Sequence, residues 1–160
     1  MRVRRIALLA GFVLLGFTSA GPAFGPLQFY SVTPCRLVDT RDPQNPQGNG
    51  GPAIAANTAR DFPVFGSNAR PCSISNTAKA AVLNFTIVGP TSGGHIIAYQ
   101  YGYPSIPLVS NLNFDAGEPA LANGALIELG QYPAKQLTVF TAMSPGATAH
   151  LIIDVTGYYE

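Results

Sequence analysis

Hydrophobic residues in this chain occur in short runs of β-branched and aromatic residues, separated by clusters of glycine, proline, asparagine and serine. After residue 20, no stretch repeats apolar residues at the i, i+3, i+4, i+7 spacing of an amphipathic helix over three turns. This pattern predicts an all-β protein. The nine candidate strands are Leu27–Val32, Arg36–Thr40, Ala59–Phe65, Ala80–Val88, His95–Tyr101, Leu108–Phe114, Ala125–Leu129, Leu137–Ala142 and Thr148–Tyr158.

Three of these segments alternate apolar and polar residues with the period of two that a strand requires. Leu83, Phe85 and Ile87 point to one side of their strand, and Asn84 and Thr86 to the other. The corresponding apolar sets of the other two segments are Leu112 and Phe114, and Leu151, Ile153 and Val155. One buried and one polar face is typical of an antiparallel sheet. We therefore expect a single antiparallel β-sandwich or jelly-roll-like domain of about nine strands.

The first twenty residues have the pattern of a bacterial secretory signal peptide. Arg2, Arg4 and Arg5 precede the unbroken apolar run Ile6–Phe17, which ends in the small residues Thr18-Ser19-Ala20. The run is shorter than the roughly 20 residues of a membrane-spanning helix. We expect residues 1–20 to be the signal peptide, residues 21–160 to form the domain, and the mature protein to be extracellular or at the cell surface without a membrane span.

The charge balance of the expected mature chain excludes two classes of function. The whole chain has nine basic and eight acidic residues, and removal of three arginines with the leader leaves six basic groups and a net charge of −2. This excludes a nucleic-acid binder that works through bulk positive charge, and a polybasic membrane-surface protein. High apolar content with low net charge also argues against disorder.

The chain has two cysteines, Cys35 and Cys72. In an exported protein an even pair predicts a disulfide, here closing a loop of about 38 residues worth roughly 3–4 kcal/mol. The alternatives are a thiol nucleophile and a pair of metal ligands. Neither cysteine has a second cysteine or a histidine at metal-ligand spacing, so a metal site is disfavoured.

Several motifs resemble a known family in their order along the chain. They are Phe29–Asp42 (FYSVTPCRLVDTRD), Gly50–Pro52 (GGP), Ala78–Val88 (AKAAVLNFTIV), Pro90–Gly94 (PTSGG), Ser110–Phe114 (SNLNF), Ala122–Ala125 (ANGA) and Ala149–Tyr158 (AHLIIDVTGY). Together they resemble a β domain of secreted bacterial proteins that is often found beside cell-wall or polysaccharide enzymes. The resemblance implies an extracellular all-β accessory module without established catalytic activity.

Charged residues are concentrated in one short segment, where Arg36, Asp39, Arg41 and Asp42 fall within seven residues. One interpretation is a ligand site for a carboxylate or for sugar hydroxyls. The other is a partly buried network of ion pairs, in which Arg36, Asp39 and Arg41 pair with one another and with Asp154 or Arg60. Loss of one partner from such a network leaves the other charge buried without a counter-ion, which lowers the unfolding free energy by several kcal/mol.

Three tyrosines are the best candidates for ligand binding. Tyr99 and Tyr101 should share one face of an extended strand about 6–7 Å apart, and Tyr103 should follow in a loop. Aromatic rings at this spacing stack on sugar rings or on the apolar surface of a partner protein, and their hydroxyl groups form hydrogen bonds. The alternative is that Ile97, Tyr99 and Tyr101 simply pack against the core.

Residues for catalysis or metal binding are sparse. His95 and His150 lie at strand starts without an evident nucleophile, and the chain has no G-x-S-x-G motif. Asp115 and Glu118 share a turn that offers fewer oxygen ligands than calcium requires. We therefore expect no enzymatic activity, no metal and no cofactor.

The leading functional hypothesis is a secreted, non-enzymatic binding or adhesion module, with an extracellular polysaccharide or a surface protein as its ligand and the three tyrosines as its site. The alternative is a structural surface subunit that self-associates through sheet edges or faces of low charge, since edges that stay unpaired usually carry charges. A secreted hydrolase is the third hypothesis, and it lacks an acid–base pair.

Overall fold

A computed structural model describes residues 25–43 and 48–160, so the predicted signal peptide lies outside the described residues. Nine β-strands follow one another: β1 Phe29–Asp39, β2 Ile54–Ala55, β3 Thr58–Phe62, β4 Ala80–Val88, β5 Gly94–Gln100, β6 Leu112–Phe114, β7 Leu121–Glu128, β8 Leu137–Met143 and β9 Thr148–Tyr159. Within the described ranges, no helix is long and apolar enough to cross a membrane.

The strands form two antiparallel sheets. The five-stranded sheet has the order β1-β9-β4-β7, with β2 pairing to β9, and the four-stranded sheet has the order β3-β8-β5-β6. Apolar side chains of both sheets meet in one buried cluster, so the sheets pack face to face. The prediction of a nine-stranded antiparallel β-sandwich is confirmed.

Alternation along the central strands builds this core. Leu83, Phe85 and Ile87 on β4 are buried, as the sequence predicts, while the intervening Asn84 and Thr86 are only half-buried on the outer face. The predicted apolar residues of β6 and β9 are buried in the same way. Period-two patterning therefore identifies the inward face of each of these strands.

The β9 strand holds the five-stranded sheet together. It pairs with β1 along one side, with β4 along the other, and with β2 near its start. The pairing Phe29↔Tyr159 brings the beginning and the end of the described chain side by side. With β9 and β4 in the interior, β1 and β7 become the two edges of the sheet.

Five strands differ from the sequence-based predictions by more than one residue. Two of them differ only in their ends: β7 starts at Leu121 rather than Ala125, and β3 ends at Phe62 rather than Phe65. The other three are β1, β2 and β6. Leu27–Val32 and Arg36–Thr40 belong to one strand, β1, because shifts in register between Ser31 and Cys35 carry the chain past Pro34 without ending its pairing with β9. The two-residue β2 is too short to leave a pattern in the sequence. Only the last three residues of the predicted strand Leu108–Phe114 form a strand, β6.

The predicted disulfide is confirmed. Cys35 on β1 is bonded to Cys72, which lies in the connection between β3 and β4, and the two Cα atoms are 5.6 Å apart. Cys72 is buried and belongs to the core cluster. The bond therefore ties the connection between the two sheets to the edge strand β1.

Removal of this cross-link should destabilise the fold without changing it. We expect the double variant Cys35→Ser/Cys72→Ser to lose roughly 3–4 kcal/mol of unfolding free energy, because the unfolded chain regains the freedom of a loop of about 38 residues. Urea denaturation measures this loss. Reductant should destabilise the wild type but leave the double variant unchanged, and a loss below about 1 kcal/mol would contradict the assigned role.

Candidate functional site

The predicted charged residues meet at the end of β1. Arg36 donates to both carboxylate oxygens of Asp154 on β9, at 2.9 and 3.1 Å, and contacts Asp39 at 3.4 Å. Arg41 donates to both oxygens of Asp39, at 2.9 and 2.7 Å, and its backbone N–H donates to the same carboxylate. The four residues therefore form one connected network across the β1–β9 pair.

Electrostatics in this network favour the ionised forms. Hydrogen bonds from the Arg41 side chain lower the pKa of Asp39 to about 2, against the opposing effect of burial. The hydrogen bond to Asp154 raises the pKa of Arg36, and the hydrogen bond to Asp39 raises that of Arg41. Since Asp39 is only 8% exposed and receives both guanidinium groups, the geometry is that of a structural ion-pair network.

Arg60 on β3 is not part of this network and has other partners. Its guanidinium donates to the carbonyl oxygens of Gly48, Gly50, Gly51 and Pro52 and lies 5.2 Å from the centre of the Phe62 ring. Burial lowers the pKa of Arg60. Four carbonyl dipoles thus take the place of a counter-ion, and the side chain fixes the 48–52 loop to β3.

Neutralising Asp39 should destabilise the protein at neutral pH. We expect Asp39→Asn to lower the unfolding free energy by roughly 2 kcal/mol at pH 7, because a carboxylate pKa lowered from 3.8 to about 2 stabilises the folded state wherever it is ionised in both states. That contribution is fully present above about pH 5, where the carboxyl is ionised in both states, and is lost as the pH falls through the folded-state pKa of about 2. Urea denaturation at several pH values measures it.

The matched control is Asp115→Asn, which removes an exposed carboxylate in a turn and should leave stability unchanged. The gap between wild type and Asp39→Asn should close between pH 5 and pH 2. A gap that stays constant over this range would contradict the role given to the Asp39 charge.

The three candidate tyrosines do not form one row. β5 ends at Gln100, so Tyr101 lies beyond the strand and its ring packs edge-on against Tyr132, with centroids 5.2 Å apart. Tyr103 packs edge-on against Tyr99 instead, at 6.4 Å. The prediction that Tyr99 and Tyr101 share a strand face is therefore wrong.

A glycine explains this regrouping. Gly102 has φ +89, a left-handed conformation that reverses the chain directly after Tyr101, and a Cβ atom at this position would meet the Tyr132 ring at 2.5 Å. The turn returns Tyr103 to the side of Tyr99. Tyr99 and Tyr101 are half-buried and Tyr103 is 48% exposed. Burial, followed by the negative charge of Asp61, raises the pKa of Tyr99.

The Tyr99–Tyr103 pair lies at an open edge of the sandwich, which we define by β7 and by the end of β5 (Ile97–Gln100). In the described part of the chain, β7 pairs with β4 on one side and with no strand on the other. β6 pairs only with Gly94–Ile96, so it leaves the rest of β5 without a strand on that side. Backbone groups of alternate β7 residues therefore point away from the sheet.

An apolar groove of about 240 Å³ follows this edge. It is lined by Ala98, Tyr99, Gln100, Tyr103, Pro107, Leu126, Ile127 and Glu128. A second groove of about 220 Å³ shares Gln100 and Glu128 with the first and continues toward Leu27 and Leu129. The two grooves together run along the opening between the sheets.

Five large apolar side chains are exposed on this side of the chain, and we call them the apolar patch: Tyr103, Ile106, Leu108, Val109 and Leu126. Tyr103 and Leu126 line the first groove, and the other three lie in the same connection as Pro107, which also lines it. Four of them lie in the 101–111 connection between β5 and β6, and Leu126 lies on the outer face of β7. Their exposed fractions run from 43% to 104%, with Leu108 the highest.

The sequence pattern did not predict this patch, because it places Leu108 and Val109 in the predicted strand Leu108–Phe114. In a linear pattern, an apolar run on a buried strand looks the same as one on an exposed connection. Pro104 and Pro107 do not distinguish the two cases, because both lie before the predicted strand Leu108–Phe114 and are compatible with a strand that begins after them.

The other predicted residues form no evident catalytic site. His150 Nδ1 lies 3.1 Å from Thr40 Oγ1, and the Leu151 N–H donates a hydrogen bond to the same oxygen. This histidine therefore belongs to the contact between the end of β1 and β9. Among residues 25–43 and 48–160, no three His, Cys, Asp or Glu side chains are grouped so that they could hold a metal ion.

Comparisons with known proteins give no family. No family model and no curated protein sequence matches this chain. Among solved structures, the coat protein dimer of tobacco streak virus is similar with a TM-score of 0.37 and 13% identity, over 81% of this chain and 86% of that chain. A second structure of that coat protein matches with a TM-score of 0.37 and 14% identity, over 83% and 89% of the two chains.

Proposed function

We propose that this protein is a non-enzymatic structural subunit that self-associates outside a bacterial cell. The observation that carries the proposal is the apolar patch, which lies beside a sheet edge that has no strand partner among residues 25–43 and 48–160. The Cys35–Cys72 disulfide supports an oxidising, extracellular location, because such bonds persist there and are reduced in the cytosol.

The distribution of charge supports this role for the open edge. The edge strands β1 and β3 carry Arg36, Asp39, Arg60 and Asp61, and β1 is also bulged, which are the usual protections against edge pairing. By contrast, β7 has a single charged residue, Glu128 at its end, and residues 101–114 have none. The open edge is therefore the one least protected against association with another chain.

Burial energetics favour the same conclusion. Transfer of a leucine or isoleucine side chain from water to an apolar contact is worth about 1.5–3 kcal/mol. The apolar patch contains five large side chains at 43% exposure or more. Covering them offsets a substantial part of the free energy that association costs.

A charge placed on the open edge should weaken self-association. We expect the wild-type mature protein to associate reversibly in sedimentation velocity runs between 1 and about 500 µM, and Leu126→Lys to associate at least tenfold more weakly, a change of about 1.4 kcal/mol. The lysine side chain is long enough to remain on the exposed face of β7, but its charge opposes burial of the patch in an interface.

Thr33→Lys is the matched control, because it adds the same charge to β1, the opposite edge of the same sheet. It should associate like the wild type. A wild-type protein that remains strictly monomeric at the highest concentration would overturn the proposed function.

The tyrosine pair favours a second candidate function, binding of an extracellular polysaccharide or surface protein. Tyr103 presents a half-exposed ring at the rim of the groove, and Tyr99 supports it edge-on. Aromatic rings in such a position provide a stacking surface for sugar rings. This role and self-association would use the same surface, so the two would compete.

Removal of the Tyr103 ring tests this candidate. We expect Tyr103→Ala to reduce retention on insoluble cell-wall polysaccharide at least fivefold, because the stacking surface is lost. Tyr30→Ala is the control, since Tyr30 is a similarly exposed tyrosine that stacks on Tyr158 beside the β1 edge. Equal retention of the two variants would exclude Tyr103 from binding.

A further inference from the structure

The connection beside the open edge carries a protruding apolar side chain, Leu108, close to the apolar groove. Leu108 is 104% exposed, so its side chain makes no significant contact with the residues that the structure describes. Pro107, the residue before it, lines the groove of about 240 Å³. An apolar cavity of about 150 Å³ already holds a benzene-sized group, so this groove has room for the side chain of a leucine.

We propose that two copies of this chain pair through the open edge in a two-fold symmetric dimer, in which Leu108 of each copy enters the groove of the other between Tyr103 and Leu126. The inference rests on the proposed self-association and specifies its partner as a second copy. A two-fold contact uses the same patch on both chains, so that patch must contain both the protrusion and its receptor. This surface has both, because Leu108 protrudes directly after Pro107, which lines the groove.

The electrostatics of the patch favour a second copy as the occupant. Any two-fold contact sets a surface against itself, so a charged patch would bring like charges together. Residues 101–114 carry no charge, and Glu128 is the single charged residue that lines the groove. Self-docking therefore brings the apolar patch together without a central like-charge contact.

The patch could form the apolar centre of a dimer interface. A standard interface buries about 800 Å² on each partner and has an apolar centre with a polar rim. The five apolar side chains would form the centre, and the exposed Pro104, Ser105 and Ser110 would lie around it. Pro104 and Pro107 each fix one backbone torsion of the protruding segment, which lowers the entropy lost when it docks.

Cysteine cross-linking tests this geometry directly. The chain has two cysteines, both in the disulfide, so an introduced cysteine is the only free thiol of its variant. Leu108→Cys and Leu126→Cys are prepared separately as full mature chains, mixed, and treated with a short bis-maleimide. We expect the mixed pair to form at least fivefold more cross-linked dimer than Leu108→Cys mixed with Thr33→Cys.

A second measurement uses Leu108 without a cross-linker. Leu108→Asp should weaken dimerisation at least tenfold in sedimentation velocity, and its circular dichroism should match the wild type because the side chain is fully exposed. The wild-type species should be a closed dimer, without larger oligomers.

The outcomes separate this inference from the proposed function. If the wild type associates but Leu108→Asp has no effect, or the mixed pair cross-links no better than its control, the docking geometry is wrong and self-association stands. Open-ended oligomers would likewise overturn the two-fold dimer alone. A wild type that never associates overturns both proposals.

Discussion

Pairing of β9 with β1 on one side and β4 on the other is the interaction on which the rest of the structure depends. It joins the first described strand to the last, and its outer face holds the Arg36–Asp154 ion pair with Asp39 beside it. Burial of Leu151, Ile153 and Val155 from the same strand anchors the core. Because β9 and β4 occupy the centre of the sheet, β7 must lie at its edge.

Charge is distributed unequally between the two edges that this topology creates. On the β1 edge, the carboxylates of Asp39 and Asp154 are paired with Arg36 and Arg41, and the strand is bulged and cross-linked through Cys35. The β7 edge has small and apolar residues and lies beside the apolar patch. Four charged side chains thus stabilise the pairing of β1 with β9. The opposite edge of the sheet carries few charges and is suited to apolar contact.

Local patterns in the sequence predict much of the fold. Alternation within β4 identifies Leu83, Phe85 and Ile87 as core residues because strand periodicity depends on neighbours two positions apart. The disulfide follows from the number of cysteines and the expected compartment. The grouping of charged residues near Arg36 follows from their proximity in sequence.

Features that depend on distant parts of the chain could not be predicted in this way. The continuity of β1 past Pro34 depends on β9, which is more than a hundred residues away. The partners of Tyr99 and Tyr101 depend on the turn at Gly102 and on Tyr132 from another connection. The exposure of Leu108 depends on β6 starting only at Leu112, which no local pattern specifies.

The central claim is that the open edge of the sandwich is a contact surface between copies of this chain. Hydrogen–deuterium exchange at low and high protein concentration tests it most directly, because backbone amides are protected when the edge is covered. The account predicts that exchange slows with concentration in residues 101–111 and in β7, and stays constant in β1 and β3. Equal exchange of the 101–111 connection and β7 at both concentrations would contradict it.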